Sequence, residues 1–362
     1  MLTIRKNLKF FVCAISVFTN LFFCSIAVAA EKIGIAFPTQ NQERWYKEGF
    51  HLSNLLKKEG YDVELYFGGD NDADLQVRQV GRMINSGCKV LIISAIDGDS
   101  FSEVLKEAKK KHIPVISYDH LIMNTDAAEY YVTFDNYAVG LAQGHFIEKK
   151  LNLQNTSENK YIELFTGSLD DNNTNFFWKG AMSVLNPYIQ NGTLIVKSGE
   201  KSIDKCATQG WDREIAMKRM ESLINSQGYL PGGSKGSRID AVLSPNDSIG
   251  NGIIRAFENA GFTEKNIPVI TGQDGELEAV KNIHKGLLGM TIFKDANILC
   301  DRVIRMTNQL IKHQDVEIND IETYNNGKIL EKTFMCEVTV VDKSNYKKVF
   351  VDSGLIDEKN LD

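Results

Sequence analysis

Residues 161–180 read YIELFTGSLDDNNTNFFWKG, and their reading decides the fold. An aromatic and β-branched run over 161–166 meets Gly167, a polar stretch follows through Asn172, and Asn173, Phe176, Phe177 and Trp178 open a helical pattern. The spacing predicts a strand, a tight turn and a helix start. Carboxylates and side-chain amides at the carboxyl end of a strand place many donors and acceptors in a small volume, beside aromatic rings with apolar faces. A sugar has the matching chemistry, because its hydroxyls donate and accept while its axial C–H groups form an apolar patch. The same residues would also serve as a polar helix cap ahead of a core-facing aromatic pair. The neighbouring segments decide between these readings.

Working outward, KIGIAF (32–37), the segment 62–66, VLIIS (90–94) and the segments 114–118 and 130–134 read as strands. Helical patterns over 75–86, 101–111 and 137–150 alternate with them, Val77, Val80, Met83 and Ile84 lying at helical spacing. The alternation starts afresh at Tyr161 and runs through strands at 194–198, 241–244 and 269–271 with helices at 212–226 and 249–260. Strands alternating with helices predict parallel, doubly wound sheets, and two such sets predict an α/β chain of two lobes. A helical segment over 296–312, placed to cross back to the first lobe, precedes a polar stretch at 313–328 and strand-like runs at 337–341 and 348–351.

Arg5, Lys6 and Lys9 precede an apolar stretch that ends at Ala27, Val28 and Ala29, the pattern of a secretory signal peptide over residues 1–29. A lipid anchor at Cys24 is disfavoured, since Leu21, Phe22 and Phe23 stand where a small residue belongs. Three of the 41 basic residues and none of the 47 acidic ones lie in this leader, so the exported part carries a net charge of −9. An acidic surface without basic runs argues against nucleic acid and anionic membranes as partners. Cys88, Cys206, Cys300 and Cys336 are widely spaced, which gives no metal or dithiol motif and leaves their pairing open.

The unusual loops all follow strands, where ligands of open parallel sheets bind. They hold Arg44 and Trp45, then Asp119 and His120, then Asp171, Asn172 and Asn173, then Trp211, Asn246 and Asp274. Lys294 follows the run 290–293. Arg44 offers a rigid fork of donors, and Trp45 and Trp211 offer flat faces, one from each lobe. The aspartates are strong hydroxyl acceptors, although each also suits a helix N-cap. Enzymatic readings fail on pattern: adjacent Asp170 and Asp171 are not a facing acid/base pair, and no nucleophile, zinc or phosphate-loop motif is present. The acidic series Asp70, Asp72, Asp74 departs from a calcium loop at Leu75 and Gly81. No cofactor or metal is implied.

The segments ERW (43–45), ISAIDG (93–98), YDHLI (118–122), YYVTFDN (130–136), GSLDDNN (167–173), GAMSVLNPYI (180–189), GWD (210–212), SPND (244–247), TGQD (271–274) and MTIFKD (290–295) occur in one order. In this the chain resembles the periplasmic monosaccharide-binding proteins of ABC transporters, nearest the multiple sugar-binding receptors and then the xylose-binding proteins. The resemblance implies a type I periplasmic binding fold, two doubly wound lobes joined by three hinge crossovers. The lobes are expected over 31–134 plus 275–324 and over 137–272 plus 328–355, with hinges near 134–137, 272–275 and 324–328. It implies a monomeric periplasmic receptor that closes on an aldopyranose such as glucose, galactose, xylose or arabinose, and delivers it to an ABC permease. A sensor kinase or chemoreceptor is a further implied partner. By motif it implies sugar contacts from Arg44, Asp119, Asp171, Asn172, Asn173, Asn246, Asp274 and Lys294, with Trp45 and Trp211 stacking. The alternatives, a sugar-responsive regulator core or a sugar-processing enzyme, lack a basic helix-turn-helix and an activated catalytic pair respectively.

One position departs from the resemblance: His120 stands where the family carries arginine after the aspartate. If its imidazole meets the sugar, affinity is expected to vary over about pH 5–8, with a sign set by whether the neutral ring accepts or donates. His120→Arg is then expected to tighten binding or change the preferred sugar. Calorimetric titrations of both proteins check this, and identical pH profiles with one sugar ranking would place His120 outside the site.

Overall fold

Apolar runs bounded by turns become the central strands of two separate parallel sheets. The computed structural model describes residues 30–69, 72–234 and 236–361, so the leader read at 1–29 lies outside the described residues. The chain begins with β1 (Lys32–Phe37), α1 (Glu43–Lys58), β2 (Asp62–Phe67), α2 (Ala73–Ser86), β3 (Val90–Ile93), α3 (Ser102–Lys110), β4 (Val115–Tyr118) and β5 (Ala128–Phe134). These strands pair in parallel in the order β2-β1-β3-β4-β5. β3 and β4 are buried along their whole length, as strands covered by helices on both faces must be.

The second lobe follows with α4 (Asn136–Lys150), β6 (Lys160–Leu164), α5 (Asn173–Gln190), β7 (Leu194–Val196), the short α6 (Ile203–Cys206), α7 (Arg213–Gln227), β8 (Ala241–Leu243), α8 (Asp247–Asn259) and β9 (Val269–Ile270). Its parallel sheet runs β7-β6-β8-β9. α9 (Leu277–Lys285) and β10 (Met290–Phe293) complete this pass. α10 (Ala296–Ile311) returns to the first lobe, where Leu299, Cys300, Val303 and Met306 join the core of Phe37, Leu52 and Ile116. β11 (Lys332–Cys336) then pairs in parallel with β5, and β12 (Thr339–Asp342) pairs antiparallel with β10.

The expected lobe bounds, the hinges expected near 272–275 and 324–328, and the strand expected at 348–351 differ from the structure. The segment 275–324 does not go as a unit to the first lobe, because Ala279, Val280 and Ile283 of α9 are buried with Ile249, Ile253 and Phe257 of the second. Nor does all of 328–355 belong to the second lobe, because β11 supplies the edge strand beside β5. The passages between lobes therefore lie between β5 and α4, between β10 and α10, and between β11 and β12. The run 348–351, expected as a strand, lies in a wide helical turn at Lys347–Val351 whose Phe350 packs in the second-lobe core. The four cysteines left open in the sequence are all buried and unpaired.

α4 and α5 meet backbone to backbone. A Cβ on Gly140 would lie 2.0 Å from the carbonyl oxygen of Phe177, and one on Gly180 would lie 2.2 Å from that of Tyr137. Only glycine permits this approach, which carries Asn173 and Phe177, at the start of α5, to the interlobe face. Alanine normally favours a helix interior over glycine by about 1 kcal/mol, whereas overpacking costs roughly 1–3 kcal/mol. Because the obstacle is backbone, the clash is expected to win. Gly180→Ala should lower the urea midpoint, and an unchanged or raised midpoint would count against the packing described.

Candidate functional site

The carboxyl ends of β1, β4, β6, β8 and β9 face one another across the gap between the lobes. Their loops, with the segment after β7 that carries Trp211 and the end of β10, line a small chamber that is partly open to solvent. Arg44 stands near the start of α1, directly after the loop that follows β1. Its Nε donates to Glu48 Oε1 at 2.7 Å, one helical turn on, and its Nη1 donates to Asp274 Oδ1 at 3.1 Å on the other lobe. Nη2 lies 3.0 Å from Asp119 Oδ2, a third ion-paired contact. Lys294, just past β10, lies 3.6 Å from Asp119 Oδ1 and 4.0 Å from Asp274 Oδ1, with the rings of Phe134 and Phe177 beside its ammonium.

These charges are buried, which is costly unless they are paired. Burial alone would raise the pKa of Asp119, but Arg44 and then Lys294 outweigh it and hold the carboxyl well below its usual range. Glu48 goes the other way: burial and the nearby Asp119 charge push it up against the pull of Arg44. Burial also raises Asp171, opposed first by His120.

Backbone geometry is unusual at three of the lining positions. Asp119, Trp211 and Asp274 have φ of 58°, 57° and 104°, a region that side chains other than glycine's rarely occupy. Each costs of order 1–3 kcal/mol and persists only where the surroundings hold it. The surroundings are specific. Asp119 N–H donates to Val132 O at 2.8 Å, and its carbonyl accepts from Asn173 Nδ2 at 2.6 Å and Tyr131 Oη at 2.5 Å. Asp274 N–H donates to Ile292 O at 2.7 Å. The fully buried Asp247 accepts from the N–H groups of Gly275 and Glu276 and from Thr291 Oγ1, at 2.8–2.9 Å, which pins the loop after Asp274. Asp247 is therefore a loop anchor, and the N-cap of α8 is Asn246, whose Oδ1 accepts from Ile249 N–H at 3.0 Å while Nδ2 reaches Asp274 Oδ2 at 3.4 Å.

Of the residues singled out in the sequence, the cavity lining takes in all but Asn172. Asn172 is half-buried, and its Oδ1 accepts from Asn175 Nδ2 at 3.3 Å, within the first turn of α5. Trp45 lines the cavity but is only 4 % exposed and packs in the first-lobe core. The Arg44 guanidinium sits 4.6 Å over its ring, so one face is already occupied. Trp211 lies against Gly167, where a Cβ would come within 2.2 Å of the indole, and meets Phe177 edge-to-face at 6.1 Å. Gln42, Phe177, Gln273 and Glu276 also line the cavity. Gln42 and Glu276 sit in loops after strands, a signal that could have included them, and Gln273 lies in TGQD, the loop already read for Asp274. Phe177 follows Asn173 by one helical turn, a spacing that puts both on one face of α5.

Four lining residues keep a buried polar atom with no hydrogen-bond partner among the described residues: Arg44 Nη2, Asp119 Oδ1, Trp211 Nε1 and Gln273 Oε1. Such atoms normally cost about 1–3 kcal/mol each. Donors and acceptors are thus concentrated in one small chamber, ready for a ligand that both donates and accepts.

The depressed Asp119 has a consequence for folding. Its contribution is present above the ordinary aspartate pKa of about 3.9 and is lost as pH falls below it, towards the lower folded value. Asp119→Asn is therefore expected to be less stable than the wild type at neutral pH, with the gap narrowing below about pH 4. Ligand-free denaturation from about pH 2.5 to 7 checks this, and a gap independent of pH would refute the charge pairing.

Comparison with known proteins follows this geometry. A periplasmic binding protein domain model matches residues 33–315. The multiple sugar-binding periplasmic receptor ChvE of Rhizobium radiobacter is 41 % identical over 92 % of this chain and 93 % of its own length. The D-xylose-binding periplasmic protein of Escherichia coli K12 is 30 % identical over 98 % of this chain and 99 % of its own. An ABC transporter solute-binding protein of Clostridium phytofermentans, solved with bound β-D-glucose, is 42 % identical and superposes with a TM-score of 0.87, covering 92 % of this chain and all of that one. With this extent of matching, and with two parallel-sheet lobes meeting at a polar cleft, the chain belongs to the periplasmic binding protein family.

Proposed function

We propose that this chain is a periplasmic receptor that closes its two lobes on a monosaccharide, an aldopyranose, and hands it to an ABC permease. The family is one of binding proteins and not of enzymes. The observation that carries the ligand class is the gathering, around one chamber, of the buried Trp211 Nε1 and Gln273 Oε1, which make no hydrogen bond among the described residues, with the buried ion-paired groups of Arg44, Asp119, Asp274 and Lys294. Water can satisfy such atoms singly. A ring of hydroxyls satisfies several at once and brings an apolar C–H face with it. The charge-assisted acceptors Asp119, Asp171 and Asp274, and the donors Arg44, Asn173, Asn246 and Lys294, suit hydroxyls from both lobes. Asn172 is left out of this contact set. Trp211 and Phe177 offer ring surface, whereas Trp45 acts mainly as a platform for Arg44.

The names of ChvE and of the glucose-bound Clostridium protein support the reading, as does the polar, acidic character of the chain. Delivery to a permease is the ordinary task of a solute-binding protein of an ABC transporter. A sensor kinase or chemoreceptor reading the closed form, and a monomeric state, are part of the same proposal.

A thermal-shift screen of aldoses, with rhamnose, fructose and inositol as outgroups, tests it. The preferred sugar is expected to stabilise the protein by about 2.7 kcal/mol at a hundredfold excess over Kd, and to be recovered unchanged. Trp211→Ala is expected to weaken binding roughly 5- to 150-fold, taking ring stacking at about 1–3 kcal/mol. Trp178→Ala, in a ring packed against the α5 core away from the cavity, should lower stability instead. No stabilisation by any aldose, or consumption of the bound sugar, would overturn the reading.

A further inference from the structure

His120 is held from both lobes. Its Nδ1 lies 2.7 Å from the carbonyl oxygen of Ala95, in the loop after β3. A carbonyl oxygen has no hydrogen to give, so Nδ1 carries the hydrogen and donates it. The other ring nitrogen, Nε2, lies 3.3 Å from Asp171 Oδ2 on the opposite lobe. With Nδ1 protonated, a neutral ring presents a lone pair at Nε2, and an ionised Asp171 presents another. The contact therefore needs one proton, on either the nitrogen or the oxygen. Trp45 packs edge-to-face on the imidazole at 5.0 Å, which fixes the ring plane.

Resting on the receptor reading above, we propose that His120 is a positioning residue that joins the lobes to each other through one shared proton with Asp171, so that closure on the sugar takes up a proton. The charged groups around the ring are Asp171 before α5, Asp119 on its own loop at 3.9 Å, Arg44 on α1 and Lys294 after β10. Arg44 and Lys294 are engaged with Asp119, Asp274 and Glu48. The ion-pair partner of Asp171 among the described residues is His120. The other oxygen of Asp171 accepts from Asn173 N–H at 2.9 Å, so the carboxylate is not free to turn away. Burial pushing the Asp171 carboxyl upward agrees with a proton held at this contact.

The direction follows. At the acid end of the histidine range the proton is already bound and closure is unhindered. As pH rises through that range, the closed state must keep a proton that the open state has released, and affinity falls. The departure from the family's arginine thus becomes a difference between a permanent and a titratable cation facing Asp171.

Isothermal titration calorimetry with D-glucose, D-galactose, D-xylose and L-arabinose, at about pH 5.5 and about pH 8, in two buffers of different ionisation enthalpy, tests this. The expected result is binding about tenfold weaker at the higher pH, within the usual range of coupling between sites, with net proton uptake on binding. His120→Arg keeps a permanent cation opposite Asp171 and is expected to bind without proton uptake or pH dependence. His120→Gln, which carries no charge at this position, should lose the pH dependence too. Equal wild-type affinities with no proton uptake would overturn the shared proton and leave the receptor reading standing, and uptake that persists in His120→Arg would overturn it by placing the proton elsewhere. Failure of all the sugars to bind would overturn the receptor reading and this inference with it.

Discussion

The Arg44 guanidinium, lodged between Asp119 of one lobe and Asp274 of the other, is the contact on which the cleft depends. A cation at that depth cannot stand alone, and the carboxylates around it cannot either. Glu48 and Asp119 pair with it from its own lobe and Asp274 from the other, so this third partner ties the polar chamber to lobe position. Lys294 repeats the arrangement with the same two aspartates at longer range. Lys294 also stands at one of the passages between lobes, just before α10. Ligand chemistry and chain crossing therefore meet at one place.

The fold holds these charges rigidly because their supports are backbone groups. The left-handed conformations of Asp119, Trp211 and Asp274 aim side chains that a relaxed turn would point elsewhere. Their cost is offset by hydrogen bonds from strands and by the buried Asp247, whose oxygens gather the N–H groups of the following loop. The glycine contacts between α4 and α5 do the same for Asn173 and Phe177, since no side chain intervenes to let one helix slide on the other. A chamber built in this way loses little freedom when a ligand arrives, which is how a small polar molecule is held firmly by hydrogen bonds that compete with water.

Much of this was legible in the residues. Strand runs such as KIGIAF and VLIIS, and the rule that open parallel sheets bind ligands past their carboxyl ends, pointed to Arg44, Asp119, Asn173, Asn246 and Asp274. Trp45 was legible as a cleft-loop aromatic but not as a buried platform, because part of its burial comes from His120, remote in the chain. Asn172 and Asn173 adjoin in the chain, yet the helix turns one into the cavity lining and leaves the other against the Asn175 side chain in its first turn. Whether Phe177 faced a ligand or the core stayed open in the sequence, because helical spacing shows which residues share a face and not what that face meets.

The sequence by itself determined most of the elements before α10, their α/β alternation, the two-lobed class and the chemistry of the loops, because these follow from local periodicity and from what each side chain can donate or accept. Only the tertiary structure decided which sheet the last third of the chain joins. An apolar run such as KTFMC fits any open edge, and pairing with β5 is a matter of geometry between distant segments. The tertiary structure also decided how His120 is used. Its residue type shows a titratable donor, but only the positions of the Ala95 carbonyl and the Asp171 carboxylate fix which nitrogen holds hydrogen and which faces the other lobe. Protonation state is set by neighbours in space, and neighbours in space are what a chain acquires when it folds.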